Sequence, residues 1–177
     1  MLTVRMNDAA AELLGILDGP AAAEPPGGLA PGLREWLADG IVRRGEVVTW
    51  ASEAESAEDA PGMFGELTHW EHTLMSFHLE DYVPVEVVLD DEGAPWISEE
   101  DQRTLLVHGV AFALEFGKGV YALDPPTAVR LTVGANETNG TFRFNRIRPG
   151  EPWNDTDLEG YQHSKIVMID IEPAGCP

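Results

Sequence analysis

Between Arg44 and Arg103 the chain has no Lys or Arg, although it has sixteen Asp and Glu residues there. Such a stretch cannot hold a phosphate backbone, because nucleic-acid contacts need cationic side chains. Cysteine is nearly missing too. The single Cys is Cys176, so no internal disulfide can form and nothing points to an oxidising compartment. No apolar run approaches the roughly 18 residues that a membrane helix needs. Asn7, Asp8, Glu12 and Asp18 interrupt the N-terminal segment, which therefore does not read as a secretory signal. Without one, the Asn-x-Thr sequons at Asn136, Asn139 and Asn154 read as turn-forming sequence. There is no Gly-rich phosphate loop, nucleophile elbow or C-x-x-C, so no cofactor is expected. These absences lead to the expectation of a soluble cytoplasmic protein that binds neither nucleic acid nor membrane.

What is present is acid. The 177 residues carry 31 acids and 11 bases, a formal net charge of −20. Residues 45–102 contribute −16 of that, and each flank only −2. Charge alone argues for disorder, but a hydrophobic fraction of 44% and five Trp argue for a packed core. The length suits one domain, 1–177, that can bury a core unaided.

Ala9 to Leu17 has helical character, with Asp8 as its expected N-cap. Residues 19–32 form a Pro/Gly/Ala-rich connector. Pro31 opens a second helix that Gly40 stops. Ile41 to Trp50 reads as a strand with a turn at Arg43-Arg44-Gly45, and 52–62 as an exposed acidic loop. Residues 63–76 fit helix and strand equally. Phe77 to Leu89 reads as a strand marked by Pro84, and Asp90-Asp91-Glu92-Gly93 as a turn. Ser98 caps the clearest helix, apolar around much of its circumference and expected to end at Gly117 and Gly119. Val120 to Leu123, Thr127 to Val133, Thr141 to Ile147 and Lys165 to Ile171 follow as strands. The expectation is an α+β domain: short N-terminal helices, one well-buried central helix and a largely antiparallel sheet.

Three patterns carry possible chemistry. His163-Ser164-Lys165 with Asp170 fits H-x-K-x4-D and resembles the signature of the phospholipase D superfamily. In that family the His is the phosphoryl-accepting nucleophile and the Lys binds phosphate. The resemblance covers eight residues. The Gly-Ser-x-Asn-like continuation is replaced by Ile171-Glu172-Pro173-Ala174, and no second motif is present, so a plain strand is the competing reading. Asp155, Asp157 and Glu159 before Gly160 resemble the first half of an EF-hand calcium loop, but the twelfth position is Ile166. His69, Glu71, His72, His78 and Glu80 are the densest set of ligand-type residues. On a helix His69 and His72 could share a metal, but no third ligand can be placed. No metal site is therefore expected. Arg130, Arg143, Arg146 and Arg148 are the main basic concentration, expected to pair internally or to line one polar sheet face.

The reading that follows is a non-enzymatic module that covers a basic protein partner. Small acidic proteins of this general character include the immunity proteins that neutralise cationic nuclease toxins. Opposed fields speed association, and acids can occupy the places where a nuclease holds phosphate. The expected contact acids are Glu53, Glu55, Glu58 and Asp59, then Glu80 and Asp81, then Asp90, Asp91 and Glu92. Trp50, Trp70, Tyr82 and Trp96 are the expected exposed anchors. The alternatives are a small phosphodiesterase or metal-dependent enzyme built on His163/Lys165 or the 69–80 cluster, and an acidic subunit of a larger assembly.

Overall fold

The computed structural model describes residues 1–15, 24–151 and 157–175. It is a single α+β domain. Its centre is a fully antiparallel five-stranded sheet in the order β1-β9-β7-β8-β4. The strands are β1 (Leu2–Met6), β4 (Ser76–His78), β7 (Val129–Ala135), β8 (Gly140–Arg146) and β9 (Lys165–Ile171). β7 and β8 form the expected hairpin, in register from Val129↔Arg146 to Ala135↔Gly140. β9 fills the gap between β7 and β1, so the last strand is an interior one.

Alternation along the strands sends Leu131, Val133, Phe142, Phe144, Val167 and Ile169 to one face, where all are fully buried. The long helix α4 (Glu99–Tyr121) covers that face. Ser98 is its N-cap, with Oγ accepting from the Asp101 N–H at 3.1 Å. The helix does not stop at Gly117 or Gly119, and residues 120–121 complete it instead of opening a strand. Gly109 and Gly117 serve contact with the sheet, whereas a Cβ at Gly119 would meet only Ile41, at 3.5 Å. A Cβ at Gly109 would lie 2.5 Å from Val133, and one at Gly117 would lie 2.7 Å from Ile171. Close approach to the sheet overrides their poor helix propensity.

Smaller elements wrap this core. Helix α1 (Asp8–Leu14) is capped by Asn7 rather than Asp8. Asn7 Oδ1 accepts from both Ala10 N and Ile166 N at 3.0 Å, so one side chain starts a helix and ties it to β9. Helix α2 (Pro31–Asp39) ends at Gly40 as expected. Strands β2 (Ile41–Arg44) and β3 (Val47–Trp50) form a separate hairpin. The ambiguous 63–76 segment resolves as helix α3 (Leu67–Leu74).

The expected strand from Phe77 to Leu89 breaks into pieces. After β4 the chain makes a 3₁₀ turn at Leu79–Asp81, where Val83 N–H bonds Leu79 O at 2.8 Å. Leu79 and Val83 are both buried, a four-residue spacing that suits a helical turn. Only Val87–Leu89 returns to strand, as β5, and it pairs with β6 (Pro95–Ile97) outside the main sheet.

A ring cluster fills the space between sheet, α4 and α2. Trp50 meets Phe144 edge-on at 4.9 Å, and Trp36 stacks on Phe77 at 5.3 Å. Trp50 and Trp70 are 2% and 3% exposed. They are core residues, not surface anchors, because their rings supply the large apolar area that a core of this size needs.

Candidate partner-binding surface

The β5–β6 hairpin stands out because both of its faces are open. Its register is Val87↔Ile97, Val88↔Trp96 and Leu89↔Pro95. Side chains alternate, so Val87 and Leu89 point one way and Val88 and Trp96 the other. Leu89 is 66% exposed and Trp96 50%, and both valines exceed 40%. Ile97 alone is buried, and its N–H bonds Glu137 O in the β7–β8 turn at 2.7 Å. Ser98 then caps α4. The hairpin is thus an arm anchored at Ile97. A two-stranded ribbon with exposed apolar sides on both faces is marginal on its own, and large apolar side chains held out on one short arm point to an interaction site.

The tip of the arm is acidic by construction. Asp90 Oδ1 accepts from Glu92 N and Ala94 N at 2.9 and 2.8 Å, and Gly93 takes φ +82°. This is an Asx-type turn. Asp90 is occupied in holding the turn, while Asp91 and Glu92 point their charge into solvent. The arm's base is acidic too. Glu99 and Glu100 open α4, Glu137 lies at the Ile97 contact, and Glu80 Oε2 accepts from Gly140 N at 2.8 Å.

The acidic loop 52–62 winds through short 3₁₀ segments at Ala51–Glu53, Ser56–Asp59 and Gly62–Phe64. Glu53, Glu55, Glu58 and Asp59 are all exposed on it. Of the sixteen acids between Arg44 and Arg103, twelve are exposed and in no ion pair among the described residues. Glu80 is less free than its neighbour Asp81: it is half-buried and pairs with His78 at 3.2 Å. Tyr82 is half-buried against Trp36 and Phe77.

Glu71 is the opposite case. Its side chain is 0% exposed and forms a two-pronged pair with Arg148, which is 9% exposed, at 2.7 and 2.8 Å. The same carboxylate accepts from Val48 N and Arg146 N, each at 2.8 Å. All four of its lone-pair positions are therefore used. Arg146 also pairs with Glu46, which holds the Glu46 carboxyl below the usual carboxylate range. This hub joins α3, the β2–β3 hairpin and the end of β8.

The ligand-type set around it is dispersed. His69 packs against the Phe64 ring, His72 Nε2 lies 3.1 Å from Arg143, and His78 faces solvent. Burial, and then the Arg143 charge, push the His72 imidazole down to about 4, so it is neutral near pH 7. Among the described residues no three His, Cys, Asp or Glu stand together as a metal site would require. Asp157 caps the 3₁₀ turn at Leu158–Gly160, Glu159 accepts from Asp8 N at 2.8 Å, and Asp155 lies outside the described residues.

The H-x-K-x4-D residues are not gathered. His163 sits in an exposed turn, while Lys165 Nζ donates to Gln102 Oε1 of α4 at 2.6 Å. Asp170 lies on the other sheet face, because five residues along a strand reverse the side. There it accepts from Arg130 Nε at 2.7 Å and from Arg5 Nη2 at 2.9 Å. The internal pairing expected of the arginines holds for Arg130, Arg146 and Arg148. The β1 strand that brings Arg5 to Asp170 carries a period-two alternation, Leu2-Thr3-Val4-Arg5-Met6, that the sequence reading above does not use, and Leu2 and Val4 stay exposed on the sheet edge.

Fold and surface define a single-domain α+β protein with an acidic, partly apolar arm. No helix among the described residues is long and apolar enough to cross a membrane. The model of the uncharacterized protein PM0498 family matches residues 22–176, and the chain belongs to that family. No curated protein and no solved structure matches it.

Proposed function

We propose that this protein is a non-enzymatic cytoplasmic module that covers a basic protein partner, in the manner of an immunity protein neutralising a cationic toxin such as a nuclease. The observation that carries the reading is the β5–β6 arm. Val87, Val88, Leu89 and Trp96 offer apolar area, and Asp91 and Glu92 offer unpaired charge beside it. Apolar contacts supply affinity, and acids supply association rate and selection against anionic partners. The acids of 53–59 extend the field that a cationic protein meets on approach.

The test begins with the tagged protein and any basic protein that co-purifies with it in stoichiometric amount. With that pair purified, stopped-flow association at low salt is compared for wild type and for the Asp91→Lys/Glu92→Lys variant. Asp90 is left alone because it holds the turn. Association is expected to slow by about tenfold or more, and raised salt should slow the wild type likewise. For a nuclease partner, added protein should stop DNA cleavage. Unchanged association in this variant, and in one reversing Glu53, Glu55, Glu58 and Asp59, would end the proposal.

A further inference from the structure

We propose that the groove between α2 and the 79–82 turn receives an arginine side chain of the basic partner. This rests on the reading above and gives it a specific anchor. The groove holds about 300 Å³ and is lined by Gly32, Glu35, Trp36, Asp39, Ser52 and Tyr82. That is the lower end of ligand pockets, roughly 300–1,000 Å³, and suits one side chain better than a cofactor.

The walls are aromatic and held in place. Trp36 and Tyr82 stand edge to face, with centroids 6.0 Å apart at 86°. Behind Trp36 lie Phe77, stacked at 5.3 Å, and Trp50 at 4.6 Å. Tyr82 rests directly on the helix because residue 32 is glycine: a Cβ there would lie 2.8 Å from Tyr82 Cδ1. The rim is acidic. Glu35 is exposed and unpaired among the described residues. Asp39 Oδ2 accepts from Ser52 N and Oγ at 3.3 and 2.8 Å, which fixes the carboxylate and leaves Oδ1 open.

Aromatic walls with a fixed carboxylate on the rim match a guanidinium. That group is flat, weakly hydrated, stacks on rings and donates in a fork to carboxylates. A lysine ammonium is more strongly hydrated and gains less from rings. Free arginine fits worse than a protein side chain, because no Lys or Arg lines the groove to hold an α-carboxylate. Ser52 leads directly into Glu53 and the acidic 3₁₀ segments, so a chain entering with arginine meets further acids beside the groove.

The test uses the full chain, labelled with ¹⁵N and titrated at low salt. The probes are a peptide alternating Arg and Gly, its Lys counterpart, and N-acetylarginine amide. The Arg peptide is expected to shift the Trp36 indole N–H and to bind several-fold more tightly than the Lys peptide. Glu35→Lys, at an exposed position, should weaken it by about tenfold, and Tyr82→Leu by a similar factor. If Tyr82→Leu fails to fold, Glu35→Lys still decides. Shifts confined to residues 53–59 or 87–96, with Glu35→Lys binding like wild type, would overturn the groove and leave the acidic-module reading standing. No binding of either peptide would overturn the groove, and the acidic-module reading would then stand or fall on the association test above. N-acetylarginine amide binding as tightly as the peptide would overturn the assignment to a protein side chain.

Discussion

The hub around Glu71 and the arm that ends in Asp91 come from the same cation-free third of the chain, and the fold treats their charge in opposite ways. Glu71 is withdrawn from water and surrounded by four donors, two from Arg148 and two from the backbone. Asp91 and Glu92 are held out in solvent on a ribbon whose apolar sides are also exposed. A buried ion pair contributes little net stability yet costs much when one partner is lost. Exposed acids contribute little either way to folding but set the field at a distance. The hub therefore serves architecture, and the arm is free to serve recognition.

Removing one partner from the hub is the severest way to break the contrast. Glu71→Ala leaves Arg148 buried and unpaired and should cost about 3–5 kcal/mol, read from urea melts. The double variant Glu71→Leu/Arg148→Met should recover part of that loss, because it strands no charge, but not all of it, because the Val48 and Arg146 N–H groups lose their acceptor.

Acid tests the same region through His72, which faces Arg143, Asn145 and His69. Its folded value of about 4 lies below the ordinary 6.5. Above pH of about 6.5 both folded and unfolded forms are neutral, and its contribution is fully present. As pH falls towards 4 the unfolded chain takes the proton first, and that contribution is lost. Wild type should therefore lose more stability between pH 7 and pH 4.5 than His72→Gln does, measured by urea midpoints. Equal losses would place the acid sensitivity elsewhere.

Smaller effects are expected where the arm joins α4. Ser98→Ala removes the N-cap bond to Asp101 and should cost about 1 kcal/mol. The least effect on folding belongs to the tip. Asp91→Lys/Glu92→Lys should change stability by no more than about 0.5 kcal/mol while slowing association with the partner. A tip variant that unfolds the protein would show that the arm is part of the architecture after all.

Much of the frame was legible in sequence because it depends on local pattern. The alternation in 129–133 and 141–147 predicts the β7–β8 hairpin, and Ser98 followed by three acids predicts the start of α4. Asp90 to Gly93 predicts the arm's turn. Pro31 and Gly40 mark the ends of α2. Other features were not legible locally. Gly117 looks like a helix stop until Ile171 is seen against it. Trp70 looks like an anchor until its burial is known. The arm's apolar residues resemble those of any strand until both of its faces are found open.

The sequence by itself determined the α+β class, the positions of the principal turns and caps, and the concentration of acid between Arg44 and Arg103. Those follow from φ/ψ preference, periodicity of two or near four, and a count of charges, none of which needs a distant neighbour. Only the tertiary structure decided which acids are spent inside and which remain outside. It joined Glu71 to Arg148 and Asp170 to Arg5, residues 77 and 165 positions apart. Charge has no periodicity that reveals its partner. Pairing depends on which strands become neighbours, and that order is set by how the whole core packs.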